Sequence, residues 1–380
     1  AGARAGLLAA LAGRASRASV VVDQGRRLTI VNGCASAPIW IAHIAGNGTI
    51  PDPQNARIDP GASRAFSTGS SFSAARYWPK MGCDAAGNDC GVGGSGGPDQ
   101  GCVANTPDYS SCAPPIDSKF EATWGQEGET CGTDMAGCDY VDMSLVDGFT
   151  LPFKLDISGQ CSAAGVISDV QSIDCSRLSP EICPDHETLD AVGQTVSLRA
   201  VNPKTGKIAG CYSPCKKLTD PKWNNVLGTH DDADPGVSKY CCPTPPEEPD
   251  VCRVGPIKDT AWLSVVHNFC PGVYAYAYDD GVGLLQCDAT STYKLTFYCP
   301  HEAALTTSPQ PLPVPVAQPV EQAPANPLQA IAFHLQAALA SLRSRLVRAD
   351  DLEAQAGLRE GLGGAGAPPA RSAGALPAAA

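Results

Sequence analysis

Apolar residues follow two patterns along this chain, and each predicts a different element. Between about residues 28 and 300 they come in short runs, such as Leu28-Thr29-Ile30-Val31, Phe149-Thr150-Leu151-Pro152-Phe153 and Tyr293-Lys294-Leu295-Thr296-Phe297. These runs are rich in β-branched and aromatic residues and are bounded by turn residues, which predicts strands. No long amphipathic helix is evident there. After a Pro-rich stretch, Ser308 to Pro327, the steps lengthen. Leu328, Ile331, Leu335, Leu339, Leu342 and Leu346 recur at intervals of three and four, the period of a helix. Asn326 is placed to cap that helix and Pro327 suits its first turn. Arg343, Arg345 and Arg348 lie toward its C-terminal end, where the helix dipole favours cations.

The expected organisation follows. Residues 1–27 form an N-terminal extension, in which Ala5 to Ala12 reads either as a signal-peptide remnant or as an Ala/Arg-rich tail. Residues 28–300 form a mostly β body. Residues 301–327 are a Pro-rich linker that stays extended. Residues 328–360 are an amphipathic helical tail, expected to dock on the body or self-associate, and 361–380 are disordered. No run is long enough for a transmembrane helix.

Composition changes this picture in one respect. Eighteen cysteines lie between Cys34 and Cys299, with none at either end. An even number at this density is a disulfide framework, which requires an oxidising, extracellular setting. Structural zinc is the weaker reading. It wants repeated Cys-x₂₋₄-Cys pairs, often with His, whereas these spacings are irregular and the six His stand apart. The 33 Pro and 39 Gly indicate a loop-rich chain. A body of about 270 residues buries a substantial core by itself, so the disulfides harden it against proteases and heat.

Charge excludes some partners. The net charge is −12, and residues 28–300 hold 17 Lys and Arg against 32 Asp and Glu. An acidic body argues against nucleic acid and against attraction to anionic membranes. No cofactor or metal site is expected, because the acidic loop His230-Asp231-Asp232-Ala233-Asp234 lacks EF-hand spacing. No nucleophile–His arrangement or phosphate loop stands out. Asn47-Gly48-Thr49 is an N-glycosylation sequon.

Several ordered segments carry a resemblance. They are Leu28 to Cys34 followed by Pro38 and Trp40; Ala75-Arg76-Tyr77-Trp78 ending at Cys83; and Tyr140-Val141-Asp142-Met143-Ser144-Leu145-Val146-Asp147-Gly148-Phe149. Tyr240-Cys241-Cys242, Cys270-Pro271 with Tyr274, Tyr276, Asp279 and Asp280, and Phe297-Tyr298-Cys299-Pro300 follow. In these the body resembles the thaumatin-like proteins (osmotin, pathogenesis-related class 5). The resemblance implies an antiparallel β-sandwich, about 28–160 and 274–300, with a disulfide-rich lobe over about 161–273. It also implies eight bridges: Cys34–Cys299, Cys83–Cys90, Cys102–Cys112, Cys161–Cys287, Cys175–Cys270, Cys183–Cys211, Cys215–Cys241 and Cys242–Cys252. Cys131 and Cys138 are left over and are expected to form a ninth. The chain departs from the family at Gly91 to Gly101, around Glu121, and in inserts at Val192–Gly210 and Thr219–Lys239.

In the family an Arg, a Glu and three Asp line a cleft between sandwich and lobe. The matching positions are Arg76, Glu121, Asp142, Asp147 and one of Asp279 and Asp280, with Asp279 slightly favoured. Residues five apart on a strand face opposite sides, so the Asp147-Gly148 turn has to re-aim the second carboxylate. The resemblance implies a secreted defence protein that binds a polysaccharide, β-1,3-glucan, in an acidic cleft. Carboxylates accept from sugar hydroxyls and Arg76 donates to them, while Tyr77, Trp78 and Phe149 are candidates to stack on sugar rings. A second reading is weak endo-β-1,3-glucanase activity, with Glu121 as proton donor and Asp142 as its partner. The bland reading leaves these acids solvated or paired with Arg76. A different class, inhibition of a foreign protease, amylase or xylanase, would act through an exposed loop such as Thr219–Lys239.

Overall fold

Strands whose side chains alternate between a buried and a half-exposed face build two sheets. The computed structural model describes residues 25–94, 116–132, 136–163, 166–169 and 172–300. Most of the N-terminal extension, the Pro-rich linker, the helical tail with its docking, the disordered end, and the Cys102–Cys112 pairing lie outside these residues.

The strands are β1 (Leu28–Asn32), β2 (Ile39–Ile44), β3 (Ala56–Ile58), β4 (Ser63–Phe66), β5 (Ala75–Met81), β6 (Lys119–Thr123), β7 (Cys138–Ser144), β8 (Gly148–Phe149) and β9 (Phe153–Ser158). They continue with β10 (Cys161–Ala163), β11 (Val166–Asp169), β12 (Ser172–Cys175), β13 (Glu187–Leu189), β14 (Gln194–Val196), β15 (Arg199–Val201), β16 (Ile208–Tyr212), β17 (Leu285–Asp288) and β18 (Thr292–Phe297). One sheet runs β12-β9-β18-β1-β4 and the other β11-β10-β17-β7-β6-β5-β2-β3. Their inner faces meet in one core. Tyr77 of β5 packs on Phe66 of β4 with ring centroids 5.6 Å apart, and Phe120 of β6 on Tyr293 of β18 at 6.0 Å.

Neighbouring strands are antiparallel, apart from β1 and β18, which pair in parallel with Asn32 opposite Phe297. Parallel pairing sends both chains out of the sheet side by side. Two residues on, Cys34 and Cys299 form a disulfide with Cα atoms 5.0 Å apart.

Two boundaries differ from expectation. β10, β11 and β12 belong to the sandwich, which therefore reaches Cys175 rather than 160. The cause is pairing: Cys161 lies opposite Cys287 and is bonded to it, and Cys175 lies opposite Phe153. Arg27 belongs to the body and not to the extension. It is buried, donates to Asp139 Oδ1 at 2.9 Å, and Asp139 also accepts from the Tyr293 hydroxyl at 2.8 Å and from Gly125 N at 2.8 Å. A buried ion pair is tolerable when its lone pairs are satisfied in this way.

The lobe comprises the hairpin β13–β14, the three-stranded sheet β15-β16-β8, and short helices. Disulfides Cys183–Cys211, Cys215–Cys241 and Cys242–Cys252 brace it, and Cys175–Cys270 ties it to β12. Cys242 takes a left-handed conformation, φ 59°, which lets adjacent cysteines reach different partners. Cys83–Cys90 and Cys131–Cys138 close two short loops. The longest helix among the described residues, Ala261–Phe269, is capped by Thr260, whose hydroxyl accepts from Leu263 N at 3.1 Å. Its Trp262 stacks on Phe149 at 5.8 Å. Among the described residues no helix is long and apolar enough to cross a membrane.

Candidate functional site

The site is a consequence of register. On β5, β6 and β7, Tyr77, Phe120 and Ala122, and Val141 and Met143 turn into the core. The alternate positions face outward. Arg76 lies opposite Glu121, and Glu121 lies opposite Asp142, so three polar residues form one row across three strands. Such neighbours have Cβ atoms about 4.5–5.5 Å apart. The next row, two residues along, sets Lys119 opposite Ser144.

Asp147 reaches the same place by a turn. Gly148 N donates to Leu145 O at 2.9 Å, and Gly148 has φ +130°. A Cβ there would sit 2.1 Å from Cys211 O, so glycine is required. From the lobe, Ser213 caps the helix Pro214–Thr219 by accepting from Lys216 N at 3.2 Å, and Ser213 N donates to Asp147 O at 3.2 Å. This brings Lys216 to the same opening. Tyr274, bridged to Ser144 at the edge of β7, and Ala277 complete the lining. The result is a pocket of about 390 Å³ lined by Arg76, Lys119, Glu121, Asp142, Ser144, Val146, Asp147, Lys216, Tyr274 and Ala277. That volume suits a small ligand or one unit of a polymer.

Its electrostatics separate the carboxyls. Arg76 Nε donates to Glu121 Oε1 at 2.5 Å. Burial pushes Asp142 well above the usual carboxylate range, and the charge of Glu121 adds to this, outweighing Lys119 and Arg76. Asp147 moves the other way. Burial opposes its ionisation, yet Lys119, which donates to it, and Lys216, 3.5 Å away, hold its carboxyl well below that range. Lys119 also contacts Asp117 at 3.2 Å.

Of the expected residues, Arg76, Glu121, Asp142 and Asp147 meet in the pocket. Asp279 does not line it. Its Oδ2 is engaged by His267 Nε2 at 2.8 Å and by Ala275 N at 3.1 Å, and it is buried as a structural group. The slight preference for Asp279 is therefore corrected. Asp280 stands nearer: it accepts from the Tyr274 hydroxyl at 2.7 Å and from Arg253 at 2.8 Å, and its charge is felt by Asp142. Tyr77, Trp78 and Phe149 are also corrected as sugar-stacking candidates, because all three are fully buried. Of the two carboxyls expected to work together, Asp142 is the one that burial drives toward its protonated form, while Glu121 carries the Arg76 guanidinium.

Lys119, Ser144, Lys216 and Tyr274 were missed. Period two around Glu121 and Asp142 points to the first two. Lys216 comes from the lobe, and no local pattern indicates it. With them the lining holds three cations and three carboxyls. The body is acidic, but the cleft lining has as many basic as acidic side chains. Among the described residues no group of three or more His, Cys, Asp or Glu is placed to hold a metal ion.

A two-sheet sandwich, a disulfide-braced lobe and a polar cleft between them define the thaumatin-like class. The chain belongs to it: residues 32–300 match the Thaumatin family. It is 28% identical over 279 residues to pathogenesis-related protein 5 of Arabidopsis thaliana, covering 72% of this chain and 89% of that one. It is likewise 28% identical over 281 residues to thaumatin-like protein 1 of Pyrus pyrifolia, covering 72% and 91%. A glucan endo-1,3-beta-glucosidase of Prunus avium is 29% identical over 164 residues, 43% of this chain and 50% of that one.

Proposed function

We propose that this is a secreted defence protein that binds a β-1,3-glucan in the cleft between sandwich and lobe. The observation that carries the reading is the in-register row Arg76–Glu121–Asp142 opening into a pocket of about 390 Å³. A guanidinium and two carboxyl groups side by side supply donors and acceptors to neutral hydroxyls. Each cation already has a carboxyl partner, Arg76 in Glu121 and both Lys119 and Lys216 in Asp147. The name of the Prunus avium relative supports glucan as the ligand class. The disulfides support an extracellular setting.

Binding comes before hydrolysis in this reading. A glycosidase needs a proton donor and a second carboxyl. Asp142 would be the donor and Glu121 the partner. The arrangement offers both groups, but Arg76 already engages Glu121. The test incubates the full chain with insoluble β-1,3-glucan and measures bound protein and released reducing sugar together, beside Glu121→Gln and Asp142→Asn. Retention without sugar release, weakened in both variants, is expected. Sugar release abolished in both would make the protein a hydrolase, and no retention would refute glucan binding.

Inhibition of a foreign hydrolase is the second reading. The insert Thr219–Lys239 exposes Val226 at 85% and holds Trp223 and Asn224 left-handed at φ 56° and 58°. A pre-set exposed loop binds a partner at low entropic cost. Replacing the loop would then abolish inhibition and spare glucan binding.

A further inference from the structure

The cleft contains two polar atoms that the fold leaves without a partner. Ser144 is 1% exposed and ends β7; Asp142 precedes it by two residues and shares its outward face. Both line the pocket. Ser144 Oγ and Asp142 Oδ1 make no hydrogen bond with any described residue. The charged groups around them are committed: Arg76 to Glu121, and Lys119 and Lys216 to Asp147. Buried polar groups are nearly always paired, and leaving one unpaired is costly. Two orphans on successive outward positions of one strand, at the wall of an open pocket, point to a ligand that completes both.

We propose that Ser144 is a ligand-binding residue of the cleft, its hydroxyl acting with the Asp142 carboxyl to grip two hydroxyls of one neutral sugar unit. This inference rests on the glucan reading of the same pocket and specifies how the sugar is recognised. Two residues along a strand are about 6.7 Å apart, a spacing that serves separated hydroxyls of one ring. A hydroxyl can donate or accept, so Ser144 suits either role of a sugar oxygen. Burial drives Asp142 toward its protonated form, which also lets it donate. Tyr274, whose backbone is bridged to Ser144 itself, has its hydroxyl committed to Asp280, so the ring edge or face is what it offers. A site with buried groups awaiting partners rejects analogues lacking the matching hydroxyl far more strongly than an apolar pocket rejects a size change.

The test measures binding of a β-1,3-linked glucohexaose to the full chain and to Ser144→Ala by titration calorimetry, with melting curves of both. The alanine variant is expected to bind about 5- to 10-fold more weakly and to melt at the same temperature or higher, because it removes a buried hydroxyl that the fold does not satisfy. Equal affinity in parent and variant overturns the role of Ser144 and leaves the glucan reading standing. Weaker binding with a lowered melting temperature overturns it as well, since the hydroxyl would then be holding the fold. Absence of binding by the parent refutes the glucan reading, and the inference falls with it.

Discussion

Two carboxyls five residues apart, on one strand and its turn, are driven in opposite directions. Asp142 is raised by burial and by Glu121, so its charged form is disfavoured in the fold. Its contribution to stability is present below the ordinary carboxylate range and is lost as pH rises through the folded value. Asp147 is lowered by Lys119 and Lys216. Its contribution is present above that range and is lost as pH falls. Opposite outcomes are expected from two isosteric changes. Asp142→Asn should leave stability unchanged near pH 3 and raise it near pH 7. Asp147→Asn should lower it by about 2 kcal/mol near pH 7, because Lys119, only 4% exposed, loses a partner. The difference should narrow as the solution is acidified. Urea midpoints at both pH values check the pair. At this scale the sequence shows residue types well and orientation poorly. Arg76 and Tyr77 look equally available in the chain, yet one faces the cleft and the other the core. The period-two rule separates them only once one member of the strand is placed.

Elements translate that parity into a site. β5, β6 and β7 lie far apart in the sequence, and their registers set Arg76, Glu121 and Asp142 in line. The strand-rich runs and turn residues made a mostly β body legible. They could not reveal that β10, β11 and β12 join the sandwich, because short apolar runs carry no record of their partners. The inserts are a similar case: Val192–Gly210 contains all of β14 and β15 and the start of β16. The turn Leu145–Gly148 was legible as a requirement, since Asp142 and Asp147 could not otherwise share a face. Gly148 is where that requirement is met. Gly148→Ala places a methyl against the Cys211 carbonyl at a left-handed φ. It is expected to lower stability by about 3 kcal/mol and to abolish glucan retention, because Asp147 and β8 are displaced together. A folded Gly148→Ala protein with unchanged melting and retention would contradict this account of the turn.

At the scale of the molecule, the body is closed by the Cys34–Cys299 bridge, across a sequence separation of 265. In the chain-entropy picture such a loop contributes about 5 kcal/mol by restricting the unfolded chain. Replacing both cysteines with serine should lower the melting temperature sharply while leaving glucan affinity unchanged at temperatures where the variant stays folded. The family was legible from ordered segments spread over the body. The basic side of the cleft was not, because the acidity of the body as a whole conceals Lys119 and Lys216 brought in from different parts of the chain. The most direct measurement is a crystal structure of the protein with a bound β-1,3-gluco-oligosaccharide. The account predicts a sugar ring in the pocket lined by β5–β7, Lys216 and Tyr274, with its hydroxyls on Glu121, Asp142 and Ser144. A sugar bound elsewhere, for example in the lobe pocket at Asp190, Lys239 and Tyr240, with the cleft empty, would contradict it.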